Sequence, residues 1–291
     1  MYNSKLYPRE FIYPALLIFS VLFLFPSLVG IYYSFTNWNS MSENLKFIGL
    51  QNFKDIFQDS SNLLFFRNTF LYAISTSILK VLIGLFLALL LNEGIRSRNI
   101  LRAVFFLPVI ISNIIVGLMF QQVFHPTTGI LNLFFKAVGF DFLVRGWLQD
   151  PNLVMWSCIS VEVWKAAGFS MAIFLAGLQS IPKELYEACE IDGSNYWNKL
   201  IRITVPFLQS SILINVLLSL ISGFKVFDVI YALTNGGPGR ASEVINITIF
   251  SHFSLGDYGY GSALGTIMFI FMAIMSIGII KIFRKTEVET Q

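Results

Sequence analysis

Six runs of this chain are apolar over about twenty or more residues, and that single pattern removes most of the folds a polypeptide of its length could adopt. They cover Phe11–Phe35, Thr69–Leu91, Ala103–Phe124, Leu153–Leu178, Phe207–Leu233 and Ser262–Phe283. A helix rises about 1.5 Å per residue, so roughly 20 apolar residues cross the ~30 Å of hydrocarbon in a bilayer. The chain is 55% hydrophobic and only 13% charged, against the ~25% charged of an ordinary soluble domain. A water-soluble core cannot bury so large an apolar share. The expected fold is therefore an all-α membrane protein with six transmembrane helices, built as a single domain over residues 1–291. The first run exceeds the ~7–15 residue core of a signal peptide and lacks a clean small-residue cleavage site, so it is read as a span.

Basic residues orient the spans. With the N-terminus cytoplasmic, the inner segments carry Lys5, Arg9, Arg96, Arg98, Arg102, Lys183, Lys199, Arg202, Lys281, Arg284 and Lys285. The outer segments carry only Lys46, Lys54, Arg67, Lys136, Arg145 and Arg240. Both termini are expected on the cytoplasmic side of the cell membrane. The outer loops hold the turn-formers, including Pro126-Thr127-Thr128-Gly129 and Asn235-Gly236-Gly237-Pro238-Gly239.

The formal charge of +3 is small and its basic residues are scattered at span boundaries, which suits lipid headgroups and excludes a nucleic-acid stripe. Cys158 and Cys189 have neither paired spacing nor neighbouring histidines, so neither a metal nor a disulfide is expected. No GxxxxGK[ST] loop and no nucleophile with a base is present, so the chain is no enzyme and takes its energy from another polypeptide.

Between the fourth and fifth spans, residues 179–205 are too polar for the bilayer yet patterned as two helices. Pro182 suits a first helical position, Glu184 the first turn, and Gly193 a left-handed cap after the last turn. Leu185, Ala188 and Cys189 fall on one face, and Glu184, Glu187 and Glu190 form a charged ridge. Ser194 can cap a second helix running through Trp197 and Ile201, with Pro206 leading into the fifth span. Such an element either lies against lipid or docks a cytoplasmic protein.

Glu187-Ala188-Cys189, Gly193, Ile203 and Pro206 resemble the EAA loop of binding-protein-dependent ABC importer permeases. Cys189 stands where that motif usually has Ala, and Val205 where it usually has Leu. The resemblance extends to Phe47-Ile48-Gly49-Leu50-Gln51-Asn52-Phe53, Leu107-Pro108, Phe227-Asp228 and Leu233-Thr234-Asn235-Gly236-Gly237-Pro238, and is similar in detail to the carbohydrate branch, on its MalF-like side. It implies that this loop is a cytoplasmic coupling helix seated in an ATPase subunit. It also implies a second homologous permease, two ATPase subunits carrying ATP and Mg, and an extracellular solute-binding protein.

Ionisable residues at membrane depth are costly and usually face a cavity or a partner. Here they are Lys80, Glu162, Lys165, Lys225 and Asp228. Glu162 with Lys165, and Lys225 with Asp228, are three apart and can neutralise each other on one helix face, whereas Lys80 has no charged neighbour in sequence. The resemblance implies a mid-membrane sugar pocket, matching Asn113, Glu162, Trp164, Lys165, Phe169, Ser219, Ser222, Gly223 and Val226. Trp164 and Phe169 can stack on a pyranose, and the polar members can hydrogen-bond hydroxyls. Ser219 and Gly223 are also spaced for close helix packing.

The functional expectation is a permease subunit of an importer for a sugar, an oligosaccharide in particular. Alternatives open at this stage are an importer of glycerol phosphate or another polyol derivative, an ion-coupled carrier using Glu162 or Asp228, and a non-transporting scaffold. The carrier calls for an internal repeat, which the two halves of the chain do not display.

Overall fold

A computed structural model describes residues 12–41, 44–92 and 96–288, with side chains up to residue 283. Phe11, Lys5 and Arg9 lie outside the described residues, as do the side chains of Arg284 and Lys285. Among the described residues the regular structure is helical, apart from an isolated antiparallel bridge between Thr36 and Phe47. Its contacts group into two compact units, Met1–Asn62 with Thr248–Phe271, and Leu63–Ile247 with Met272–Gln291.

The first unit opens with α1 (Tyr13–Tyr33), whose apolar side chains are almost all exposed, Leu16, Leu17, Leu22, Phe23 and Phe25 among them. In water such a surface would be a large uncovered apolar patch, whereas lipid tails or another membrane helix cover it without cost. After it come the short α2 (Gln51–Gln58) and, further along the chain, the start of the last helix. Asn52 ties this unit together by donating to the Ser34 and Thr36 carbonyls at 2.9 Å each, and Asn62 donates to the Tyr260 hydroxyl at 2.7 Å.

Within the second unit, α3 (Asn62–Asn92) is followed by α4 (Arg98–Ile110), α5 (Asn113–Val123), α6 (Ile130–Ala137) and α7 (Val154–Gln179). Next come α8 (Lys183–Ile191), α9 (Tyr196–Phe207), α10 (Gln209–Phe224) and α11 (Asp228–Thr234). The chain continues through α12 (Ile245–Ser254) and α13 (Tyr258–Val288), each of which crosses from one unit to the other.

Helix α7 is the spine of this unit. Toward its start Cys158, Ile159 and Val161 are buried with Tyr72, Val116, Val229 and Ile230, and toward its end Met171, Phe174 and Leu178 are buried with Ala88, Leu91 and Leu208. Backbones approach closely where α7 has small residues: a Cβ at Gly168 would collide with the Phe105 carbonyl of α4. Without a hydrophobic driving force between helices in lipid, such contacts are what hold them together.

Helices α1, α3, α7 and α13 are each long and apolar enough to span a bilayer. The third and fifth predicted spans differ from the expectation of one continuous helix. Ala103–Phe124 is divided between α4 and α5, which meet at 99°. Pro108 lacks an N–H and closes a tight 3-10 turn, after which Ile111 and Ser112 are extended and Ser112 occupies the N-cap of α5. Phe207–Leu233 is likewise interrupted: α9 and α10 meet at 68°, and α10 stops before Lys225 to restart as α11.

Replacing Gly168 by Ala is expected to force α4 and α7 apart and cost about 1–3 kcal/mol, as overpacking does. Gly278→Ala, where a Cβ meets nothing within 4 Å, is expected to leave the protein as stable as before. Thermal unfolding of the two detergent-purified variants, followed by fluorescence-detected gel filtration, checks the pair.

Candidate functional site

The breaks between α4 and α5 and between α10 and α11 leave backbone groups that have no helical partner, and at membrane depth each must find one. The Val109 carbonyl, released where α4 ends, accepts from Lys165 Nζ of α7 at 3.3 Å. The Phe224 and Val226 carbonyls, released where α10 ends, both accept from Asn246 Nδ2 at 3.0 Å. At the end of α11, the Ala232 and Leu233 carbonyls accept from Gln121 Nε2 of α5, at 2.7 and 3.1 Å.

Between these breaks lies a cavity of about 400 Å³, walled by α3, α7, α10 and the ends of α4, α5 and α11. That is within the ~300–1,000 Å³ usual for small-molecule sites. Asn113, Glu162, Lys165, Phe169, Ser219, Ser222 and Val226, seven of the nine residues singled out from the sequence, line it. Two do not. Trp164 is exposed on another face of α7, its ring centroid 5.1 Å from that of Phe120. Gly223 is buried, and a Cβ there would come within 2.7 Å of the Ala73 Cα, so it serves the contact between α10 and α3.

Lys80, Asn215, Lys225 and Asp228 also face the cavity. Asn215 lies one helical turn before Ser219, a spacing from which it was recoverable. Lys80 is the correction of greatest consequence. It does have a charged neighbour: its Nζ lies 3.2 Å from Glu162 Oε1 and donates to Ser222 Oγ at 3.0 Å. Expectations of pairing along one helix face are also corrected. Among the described residues no salt bridge joins Glu162 to Lys165 or Lys225 to Asp228, and Asp228 instead accepts from Asn113 Nδ2 at 3.3 Å. Sequence spacing brings two side chains to one face, but here α3 offers Glu162 a better-enclosed partner. With side-chain exposures of 3% and 14%, removing one member of that pair leaves an uncompensated charge, a cost of about 3–5 kcal/mol.

The polar segment after α7 forms the two helices its pattern predicts. Pro182 occupies the N-cap of α8, one residue before the first helical position expected of it, and Gly193 takes a left-handed φ of +69° just after the helix. The Gly193 N–H donates to the Glu190 carbonyl at 3.1 Å and the Ser194 N–H to the Cys189 carbonyl at 2.9 Å, a Schellman closure. The second helix is capped by Asn195, whose Oδ1 accepts from the Asn198 N–H at 2.9 Å, rather than by Ser194. Its neighbour Ser194 is already used in the closure of α8.

Leu185, Tyr186 and Ile203 pack against the cluster around Phe174 and Leu208, and the Tyr186 hydroxyl pairs with Thr204 Oγ1 at 3.0 Å. Glu184, Glu187 and Ala188 are left exposed, with Cys189 half-buried. Pro206 is exposed in the last turn of α9, directly before the bend at Leu208. A hydrogen bond from Lys199 at 2.7 Å, together with its charge, holds the Glu190 carboxyl below the usual carboxylate range.

Residues 80–286 match the family model described as "Binding-protein-dependent transport system inner membrane component". The chain belongs to that family. The permease is 35% identical over 290 residues to the Probable ABC transporter permease protein YurN of Bacillus subtilis, covering 99% of each chain. It is 32% identical to the Multiple sugar-binding transport system permease protein MsmF of Streptococcus mutans, covering 98% of each. It is 31% identical to the Trehalose/maltose transport system permease protein MalF of Thermococcus litoralis, covering 97% of each. Its fold is similar to that of a chain in the crystal structure of a bacterial alginate ABC transporter in complex with an alginate pentasaccharide-bound periplasmic protein. That match has a TM-score of 0.83, 24% identity and 96% coverage of both chains. The permease is thus a membrane-embedded transport subunit of a binding-protein-dependent system, not an enzyme.

Lys199→Ala is expected to return the Glu190 carboxyl to its ordinary range. In the unsubstituted chain the interaction is complete above the ordinary Glu pKa and fades as pH falls through the lowered value. Carboxyl NMR titration of a labelled sample reads the shift; the exposed pair leaves thermal stability unmoved.

Proposed function

We propose that the permease forms one half of the translocation path of an ABC importer for a sugar, an oligosaccharide in particular. The observation that carries this is its similarity, over nearly the whole of both chains, to permeases named for sugar uptake, MsmF and MalF. The cavity has the chemistry a sugar requires: Phe169 for an apolar ring face, and Asn113, Glu162, Lys165, Ser219 and Ser222 for hydroxyls, with Val226 as apolar wall. Trp164 and Gly223 support the site from outside it, as packing on α5 and α3. A second homologous permease supplies the facing half, and an extracellular solute-binding protein delivers the sugar.

Helix α8 is the cytoplasmic coupling helix, with both termini on that same side. Its exposed Glu187 and Ala188, the half-buried Cys189, and Gly193 at its closure contact an ATPase subunit, and Ile203 and Pro206 carry the displacement into α10. Two such ATPase subunits bind ATP and Mg. Support for this comes from the short connection: Leu208 alone separates α9 from α10, which carries Ser219 and Ser222 into the cavity.

Co-expression with a second permease, an ATPase and a solute-binding protein, affinity purification and reconstitution into proteoliposomes test the reading, with trehalose, maltotriose and arabinotriose as radiolabelled probes. ATP-dependent import of at least one is expected, and import of none removes the sugar assignment. Glu187→Ala and Gly193→Val are expected to lower import at least about tenfold, the loss of roughly 1.4 kcal/mol of coupling, with membrane insertion unchanged. Loss of insertion instead makes α8 a structural element.

A further inference from the structure

The buried lysine on α3 has no part in the function proposed above, and two other helices each turn a polar side chain to it. Lys80 is 2% exposed, and its Nζ reaches Glu162 Oε1 on α7 and Ser222 Oγ on α10. Ser222 in turn donates to the Ser219 carbonyl at 3.0 Å. The hydroxyl is thereby fixed in direction, with one lone pair occupied by the ammonium. Glu162 has a second carboxylate oxygen, and no hydrogen bond to it is made among the described residues. That oxygen belongs to a residue of the cavity wall.

A second acceptor stands unpaired in the same wall. Asn215 is 1% exposed; its Nδ2 donates to the Ser211 carbonyl at 3.2 Å, which fixes the amide, and its Oδ1 has no hydrogen-bond partner. A buried acceptor left open is costly unless something donates to it. Oriented acceptors that the protein's own donors leave unpaired are complementary to a ligand that brings hydroxyl hydrogens.

We infer that Lys80 is a positioning residue for substrate selection: it fixes Glu162 and Ser222 so that the free Glu162 oxygen, with Asn215 Oδ1, accepts hydrogen bonds from hydroxyls of the transported saccharide. This rests on the sugar reading above and adds to it two residues, Lys80 and Asn215. It also gives the buried lysine a reason to lie in the membrane. Two of the three ammonium hydrogens of Lys80 are used on Glu162 and Ser222, and the side chain, 3% exposed, holds the carboxylate without moving.

The test uses the assembled transporter in proteoliposomes and, as probe, whichever of trehalose, maltotriose or arabinotriose the unsubstituted complex imports. KM and the maximal rate are measured for Asn215→Leu, Glu162→Gln and the paired Lys80→Met/Glu162→Gln. In the paired variant neither member's charge is left bare, so it assembles even where Lys80→Met or Glu162→Gln alone does not. KM is expected to rise about tenfold for Glu162→Gln and Asn215→Leu, the loss of one hydrogen bond to a buried polar group. The paired variant is expected to show at least as large a rise in KM, with a smaller change in the maximal rate. A paired variant with the KM of the unsubstituted complex overturns the inference and makes the ion pair a packing device. An unchanged KM in Asn215→Leu removes the second acceptor from it. Either failure leaves import by the unsubstituted complex, and with it the sugar reading, untouched.

Discussion

Inside a bilayer a backbone carbonyl or N–H that leaves a helix has no water to turn to, and much of the second unit can be understood as the answer to that constraint. The chain interrupts its third and fifth apolar runs, and the carbonyls released where α4, α10 and α11 end are met by long polar side chains from other segments. Lys165 serves the end of α4, Asn246 the end of α10, and Gln121 the end of α11. Without these donors each released carbonyl would cost several kcal/mol in hydrocarbon. With them, the breaks become stable walls.

The cavity is a consequence of those breaks. Two uninterrupted helices in place of α4 with α5, and of α10 with α11, would pack along α7 and fill the space between them. Turning the chain by 99° at Ile111 and Ser112, and restarting it at Asp228, leaves room beside Glu162 and Ser222 that side chains do not occupy. Close packing elsewhere holds the walls apart at a fixed distance. Gly168 admits the α4 backbone, and Gly223 admits α3, so a polar cavity coexists with helices in near contact.

The buried pair of Lys80 and Glu162 adds a second constraint. An ion pair this enclosed contributes little net stability, but it cannot be opened cheaply once formed. It therefore fixes the relative placement of α3, α7 and α10 at the depth of the cavity. Further along the same unit, α8 and α9 pack on the cluster around Phe174 and Leu208, one residue from the helix that carries Asn215, Ser219 and Ser222.

Apolar run length alone determined that the chain is a helical membrane protein, because crossing hydrocarbon leaves a polypeptide almost no other choice. Local chemistry was equally legible for α8: a proline before it, a carboxylate in its first turn and a glycine after it satisfy orphan backbone groups within a few residues of themselves, with no help from the rest of the fold. The cap of α9 was missed by one residue, since Ser194 and Asn195 are both good caps and only the closure of α8 decides between them. The family motifs carried most of the cavity, yet they could not separate Ser219, which faces it, from Gly223, which faces Ala73. Partners across helices were decided by tertiary structure alone. Spacing in sequence offers Glu162 the nearby Lys165, but the packing of α3 brings Lys80 to it and leaves Lys165 to a carbonyl that exists as a free acceptor only because α4 breaks.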